Sequence, residues 1–467
     1  MLNYVSPVDT DLNKDQMEAY KIMLAGKSVF ITGAGGTGKS YLIEKFYNRA
    51  VKIHGSFKVA KTSTTGKSAL NINGRTIHSW AGIGLGTEDV DTLIKDMYPT
   101  TRSRWEYVKV IIIDEISMLH PDVLDKLYTI GKRLNKGTIQ FILVGDPFQL
   151  PVIDKELKKE SKKEFDDAKC WKSLIGSRVF RLDQVIRQSD QTFVKVLKRI
   201  RLGIHNKYIQ DIIRSRIGVP LDNEYGIKPT VLYPKNKDVS KMNLNELNVL
   251  KRAGAKSKEF NATYKCIFNS SGNKTETLIN EFRKNSNVED LIELAVGAQV
   301  VFKKNMTYSD GIGGPGGPII EVSVVNGTRG VVSRFEDGYP VVTLLSGTTI
   351  KVIPEKFTYS VKDSFEIIKT QVPLKLAWAC SIHSSQGLTL DYVICDIGKN
   401  IFDYGQSYVV LSRVRTLEGL SIVSFDPDQI LVNPKTLLKY YPEVVYLRSK
   451  ECIFSDDVSN AIIDYLI

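Results

Sequence analysis

The run Gly33-Ala34-Gly35-Gly36-Thr37-Gly38-Lys39-Ser40 fits the pattern G-x-x-x-x-G-K-[ST]. Glycines at this spacing let backbone amides wrap phosphate oxygens. The lysine then reaches the β- and γ-phosphates, and the hydroxyl of Ser40 is placed to hold Mg²⁺. The chemistry implied is that of a nucleoside triphosphate such as ATP. A glycine-rich turn with no ligand is the plain alternative. The Lys-Ser ending argues against it, as does the placement between an apolar strand and a helical pattern.

A second acidic element is Asp114-Glu115, directly after Val110-Ile111-Ile112-Ile113. Carboxylates at the C-terminal end of a buried parallel strand sit where such sheets bind ligands. Asp114 is expected to support Mg²⁺, and Glu115 to orient and deprotonate an attacking water. Adjacent acids are common on surfaces. Only their position behind four apolar residues, downstream of a phosphate loop, makes this pair chemical. Gly145-Asp146-Pro147-Phe148-Gln149-Leu150-Pro151 again follows an apolar run, and Gln149 is placed to touch the γ-phosphate or its water. A simple turn is the competing reading there.

These groups need a rigid sheet behind them. Ser28 to Thr32, Phe57 to Thr62, Val108 to Ile113 and Gln140 to Val144 are short, nearly continuous apolar runs, as strands buried on both faces should be. Helical patterns alternate with them, so the class is α/β. Asp154 to Asp167 is mostly charged and reads as a solvated helix or linker. Helical segments are expected near 191–203 and 240–252. From about 290 to 370, short strands (Ala298 to Lys303, Gly330 to Ser333, Pro340 to Leu345, Thr348 to Ile353) alternate with glycine turns. This texture predicts a small inserted β-barrel. Gly311 to Pro318 reads as a mobile loop, and no repeat of fixed period is present.

The 467 residues suggest several domains. Hydrophobic residues make up 42% and charged residues 25%, with no apolar run long enough for a membrane span and no secretory signal at the start. The five cysteines form no C-x-x-C pair and there are five histidines, so neither a zinc site nor a disulfide framework is expected, and an intracellular setting is. Lys and Arg number 64 against 52 acids, a net charge of +12, with a pI near 9.1. Such an excess favours a polyanionic partner.

Taken together, the blocks resemble superfamily-one helicases of the Pif (petite integration frequency) family, from about residue 12 to about 441. Leu12-Asn13-Lys14-Asp15-Gln16 looks like the adenine-reading segment, with Gln16 on the base. Gly74 to Gly84, Asp114-Glu115-Ile116-Ser117-Met118 and Gly145 to Pro151 fit successive family motifs. Gly137-Thr138-Ile139-Gln140 resembles the end of the signature segment, whose usual Pro-Phe-Gly-Gly is degraded to Asn135-Lys136-Gly137-Thr138. Val185-Ile186-Arg187-Gln188 looks like the motif bearing one arginine finger, and Val325 to Gly330 like a piece of the inserted barrel. Gln371 to Leu374 and Ala377 to Ala379 lead to Ile382-His383-Ser384-Ser385-Gln386-Gly387-Leu388-Thr389. That is the most specific block, with Ser384 where the family usually has lysine. Gly405 to Arg413 matches the last motif.

The resemblance implies two RecA-like P-loop domains with a small SH3-like β-barrel inserted in the second. The implied boundaries are 1–175 for the first domain, with a short wedge at 85–104. The second comprises 176–285 and 376–450, the barrel 286–375, and a tail 451–467. It implies ATP and Mg²⁺ and a catalytic set of Lys39, Glu115, Gln149 and the fingers Arg187 and Arg413. Gln16, Gly33, Gly35, Gly36, Thr37, Gly38, Lys39, Ser40 and Gly387 would hold nucleotide; Ser40 and Asp114 would hold the metal. The activity implied is ATP-driven 5′ to 3′ movement on single-stranded DNA with duplex unwinding, forked DNA and G-quadruplexes included.

Single strands are gripped by polar, basic and aromatic groups without base readout. The candidates are Thr64, Thr65, His78 and Trp80, then Asn236, Asn305, His383, Ser384 and Ser385. For Trp80, beside Ala81-Gly82-Ile83, a core position competes with a stacking role. DNA junctions and replication or recombination proteins are expected partners, the chain a monomer, and its compactness suits a viral or bacterial source. Three other readings stay open. A P-loop phosphotransferase would share Gly33 to Ser40 without needing Arg187, Arg413 or the Ile382 to Thr389 block. A DNA-binding scaffold with a relic site would not need intact Lys39, Ser40, Asp114, Glu115 and Gln149. A RecD-like or Dda-like helicase is the nearer neighbour.

Overall fold

The computed structural model describes residues 11–84, 86–151, 163–186, 190–221, 227–268, 276, 279–280, 282–283, 286, 288–311, 319–324, 326–360 and 365–449. The chain divides into two compact units, Met1–Val219 with Cys395–Ile467, and Pro220–Ile394. Among the described residues no helix is long and apolar enough to cross a membrane.

The first unit is built on a parallel sheet of β1 (Val29–Gly33), β2 (Val59–Ser63), β3 (Arg75–Thr76), β4 (Val110–Asp114), β5 (Gln140–Val144) and β6 (Val179–Leu182). Its order is β3-β2-β4-β5-β1-β6. The apolar runs form strands because the sheet buries both faces. Phe30, Ile111, Ile113, Phe141 and Leu143 point into one core, and Val29, Ile31, Val110, Ile112, Ile142 and Val144 into the other. Each side chain so buried contributes about 1.5–3 kcal/mol. Leu42, Ile43, Phe46 and Ala50 of the helix Lys39–His54 cover the second core. Because β4, β5 and β1 are neighbours, the segments leaving their C-terminal ends emerge side by side. Those are Asp114-Glu115, Gly145-Asp146 and the glycine loop.

Between β3 and β4 lie three short helices, Ile77–Ala81, capped by Thr76, Val90–Lys95, capped by Asp89, and Pro99–Tyr107, opened by its proline. Trp80 is only 8% exposed. It packs edge-on against Trp105, ring centroids 5.0 Å apart, in the first core. Its indole lies against the interior, the core side of the two readings its sequence allowed.

In the second unit, β7 (Thr230–Tyr233) pairs in parallel with Ala379–Ser381, and the helix Asn236–Arg252 follows β7. The remaining strands are antiparallel: β8 (Ser257–Asn261), β9 (Thr263–Phe268), β10 (Leu291–Ala295), β11 (Gln299–Phe302), β12 (Met306–Gly311), β13 (Ile319–Val324), β14 (Arg329–Glu336), β15 (Tyr339–Leu344), β16 (Thr349–Lys351), β17 (Glu355–Ser360), β18 (Phe365–Gln371) and β19 (Leu374–Leu376). Five form a sheet in the order β16-β15-β14-β11-β19, and three a sheet in the order β17-β18-β9. Val300, Phe302, Val332, Val342, Ile350 and Leu374 make the core of this part. β14 bulges between Val332 and Arg334, which increases its local twist. Buried Lys369 ties β18 to Asp290 at 2.7 Å.

Candidate active site

The glycine loop runs from the end of β1 to the first turn of the helix Lys39–His54. Gly38 caps that helix with φ 84°, and a Cβ there would come within 2.5 Å of Gln16 Nε2. Only glycine gives both the left-handed turn and the clearance. Gln16 reaches this point because Asn13 and Gln16 form a reciprocal capping box on the helix Lys14–Leu24. Its amide donates to Thr37 O at 3.4 Å. Thr37 is buried, and its hydroxyl donates to Ala34 O at 3.0 Å.

Lys39 Nζ donates to Gly33 O at 2.7 Å and Ala34 O at 2.8 Å. Burial pushes its pKa down, against the charges of Asp146, Glu115 and Asp114. Asp114 is 8% exposed. Burial first, then the charge of Glu115, raise it to about 7. Glu115 stands in the left-handed region at φ 52°, a strained state that non-glycine residues hold only when their surroundings impose it. Its amide donates to Asp114 Oδ1 at 2.9 Å, while Thr64 Oγ1 donates to Glu115 O at 2.9 Å. A half-buried cation resting on loop carbonyls beside a carboxylate pair fits a triphosphate and its Mg²⁺. Ser40, exposed at the helix start, and Asp114 are the groups that would hold the metal. No cluster of three His, Cys, Asp or Glu that could hold an ion by itself occurs among the described residues.

Asp146 follows β5 and is fully buried. Its partner is Arg201, at the end of the helix Gln191–Arg201, with Nη2 to Oδ1 at 2.8 Å and Nε at 3.0 and 3.1 Å from the two oxygens. Arg201 also donates to the Tyr441 hydroxyl at 2.9 Å, and its guanidinium lies 4.5 Å from the Phe148 ring centroid. Gln149 is buried in the same turn, its amide donating to Asp146 O at 3.1 Å.

The helix Gln406–Leu411 starts at Gly405, φ 72°, where a Cβ would meet Phe148 O at 2.6 Å and Gln149 O at 2.7 Å. Tyr408 on this helix accepts a hydrogen bond from Gly35 N at 3.0 Å. Burial and the charge of Asp146 raise its pKa, so it is a neutral phenol. Arg413, 2% exposed, donates to Val409 O at 2.7 Å and Ser412 Oγ at 2.6 Å.

Lys39, Asp114, Glu115, Gln149 and Gln16 are therefore gathered around one loop, with Arg413 on the segment joined to that loop through Tyr408. Arg187 lies outside the described residues, as do 312–318 and 450–467. Ile186, its neighbour, donates its amide to Gly36 O at 2.8 Å. Asp146, Arg201, Tyr408 and Tyr441 were not singled out from sequence. The signal for Tyr408 and Asp146 was present within the quoted motifs. Arg201 and Tyr441 lie outside the quoted motifs.

The DNA candidates are scattered more widely. Thr64 and Thr65 follow β2, Thr65 Oγ1 capping Ser68 N at 3.2 Å. His78 is half-buried, and burial lowers its pKa. In the second unit, Asn236 is exposed, and Asn305 Oδ1 accepts from Asn326 N at 2.7 Å. In the helix Ile382–Ser385, His383 is half-buried and Ser384 exposed. Ser385 is fully buried and donates to Ile382 O at 2.7 Å. Gly387 is exposed beyond this helix at φ 73°.

A PIF1-like helicase family model matches residues 11–216. The ATP-dependent DNA helicase PIF1 of Danio rerio is 34% identical over 448 residues, covering 93% of this chain and 64% of its own length. The chain thus spans about two-thirds or less of such curated relatives. The crystal structure of Pif1 helicase from Candida albicans superposes with a TM-score of 0.77 at 32% identity, covering 93% of this chain and 99% of that one. A Bacteroides Pif1 helicase in complex with ADP-AlF3 and single-stranded DNA gives a TM-score of 0.67 at 25% identity, over 94% and 98% of the two chains. With the family model matched over residues 11–216 and a Pif1 structure superposed over 93% of this chain at 32% identity, the chain belongs to the PIF1-like helicase family.

Proposed function

We propose that this chain is an ATP-dependent helicase that moves 5′ to 3′ along single-stranded DNA and opens duplex ahead of it, forked and G-quadruplex substrates included. The observation that carries this reading is the convergence on one phosphate loop of half-buried Lys39, the Asp114-Glu115 pair and Tyr408, from the segment ending in Arg413. Lys39 would exchange its two carbonyl partners for phosphate oxygens. Ser40 and Asp114 would hold Mg²⁺, which when bound neutralises charge on the phosphates. Gln16 would meet the base, and Gly33, Gly35, Gly36, Thr37 and Gly38 would line the phosphates, with Gly387 added by resemblance. Glu115 would orient the attacking water and take its proton, and Gln149 would report the γ-phosphate. Arg187 and Arg413 are proposed as the fingers that meet transition-state charge.

The proposed division keeps two RecA-like domains, with β11, β14–β16 and β19 as the SH3-like barrel. The DNA contacts proposed are Thr64, Thr65 and His78 in one unit and Asn236, Asn305, His383 and Ser384 in the other. DNA junctions and replication or recombination proteins are the proposed partners. The Bacteroides relative held with a phosphate-mimic complex and single-stranded DNA supports this assignment. The test is ATP turnover with and without single-stranded DNA, then unwinding of duplexes with a 5′ or 3′ tail. Turnover indifferent to DNA would sink the reading.

A further inference from the structure

The opposite edge of the six-stranded sheet, where β2, β4 and β5 begin, carries a different surface. The helix Lys39–His54 ends at Gly55, φ 84°. That left-handed turn delivers the short helix Ser56–Lys58 onto the helix Pro99–Tyr107. Lys109 N then donates to Lys58 O at 2.8 Å. Every residue from Lys52 to Lys58 is exposed. Three large apolar side chains are left in water at this edge: Ile53, 50% exposed, Phe57, 62%, and Tyr107, 54%.

Cations surround them. The His54 pKa is lowered by partial burial and then by Lys109 and Lys58, which places the three groups within electrostatic reach of one another. Among the described residues neither Lys58 nor Lys109 has an ion-pair partner. Glu106, in the turn with Tyr107, is engaged by Arg102 at 3.5 Å. An exposed apolar cluster rimmed by unpaired charge of one sign marks an interaction surface.

We propose that this edge docks an acidic segment of a partner protein, one that carries aromatic or aliphatic side chains among its carboxylates. Unpaired lysines select the sign of the partner and speed its approach, and Phe57, Tyr107 and Ile53 supply an anchor that excludes water. A nucleic-acid strand fits less well, because aliphatic Ile53 offers no face on which a base can stack. Thr64 and Thr65 lie beyond the other end of β2, roughly 16 Å away at about 3.3 Å per residue. The glycine loop and Asp114 are at that far edge too, so the partner can bind without touching the nucleotide site.

The test uses the full chain and a fluorescein-labelled synthetic peptide of Asp, Glu, Phe and Leu. Controls are the same peptide with Phe and Leu replaced by Ser, and a short duplex DNA. The peptide should bind, the Ser version about tenfold more weakly. Phe57→Ser and the pair Lys58→Glu with Lys109→Glu should each weaken the peptide by about tenfold or more, with DNA-stimulated ATP turnover unchanged. The proposal is overturned if the variants bind the peptide like the wild type, or if the two peptides bind alike. It is equally overturned if duplex DNA, and not the peptide, is what the charge-reversed variant loses.

Discussion

The Tyr408 hydroxyl accepts the amide hydrogen of Gly35 at 3.0 Å, across 373 residues of sequence. A loop amide that phosphate oxygens would claim is thereby held by a side chain. Tyr408→Phe frees it. A net hydrogen bond is worth about 0.5–1.5 kcal/mol, so ADP and ATP should bind roughly two- to tenfold more tightly to the variant by calorimetry. Unaltered affinity would show that tyrosine and nucleotide do not compete.

Lys39→Ala should abolish turnover. Arg413→Ala and Arg187→Ala should each lower DNA-stimulated kcat on the order of 10³-fold while nucleotide Kd stays nearly constant, because a finger acts on the transition state. Normal hydrolysis by either arginine variant would remove it from the site.

The buried Asp146–Arg201 pair makes a sharp stability prediction. Arg201→Met strands a buried carboxylate and should cost about 3–5 kcal/mol in urea unfolding. Adding Asp146→Leu should recover part of that loss. If the double variant is no more stable than Arg201→Met alone, the cost lies in packing against Phe148 and Tyr441.

Glu164 is buried and raised to about 7, chiefly by burial, with Asn433 donating to it at 2.6 Å. The folded chain therefore holds this proton more tightly than the unfolded chain. Stability should fall as pH rises from the ordinary glutamate range to about 7, by on the order of 3 kcal/mol, and then level off. Glu164→Gln should flatten that slope in denaturant titrations at pH 5, 6, 7 and 8 (about 1.4 kcal/mol per tenfold step). A wild-type-like slope in the variant would assign the dependence to another group.

The strand grip should show in salt. Log affinity for single-stranded DNA should fall linearly with log salt, at about 0.7 per neutralised phosphate. Poly-dT and mixed sequences should bind within about tenfold of one another. Strong preference for one short sequence would contradict a backbone-tracking grip.

How much of this was legible beforehand follows from the range of each interaction. Val110 to Ile113 read as a buried strand because both its faces are apolar, and Asp114 at its end was then located with it. Gln140 to Val144 emerged with the same bounds for the same reason. Gln16 and Asn13 were close enough in sequence for a cap to form. By contrast, the Tyr408 contact with Gly35 and the Arg201 contact with Asp146 depend on tertiary closure, which no local pattern encodes. Trp80 stayed ambiguous because a polar motif surrounds an indole that packs against Trp105. The Ser385 hydroxyl turns back onto its own helix, a contact that the polarity of its motif does not encode.

Glu115 holds its left-handed backbone at a site where glycine or asparagine would rest more easily. Selection for thermal resilience alone would drift this position toward those residues, and a consensus-stabilised library should contain them among its most heat-resistant members. Such proteins would keep the sheet and the loop yet lack the only carboxylate assigned to the attacking water. In the proposed role, glutamate at this position is a place where turnover is gained at the expense of robustness.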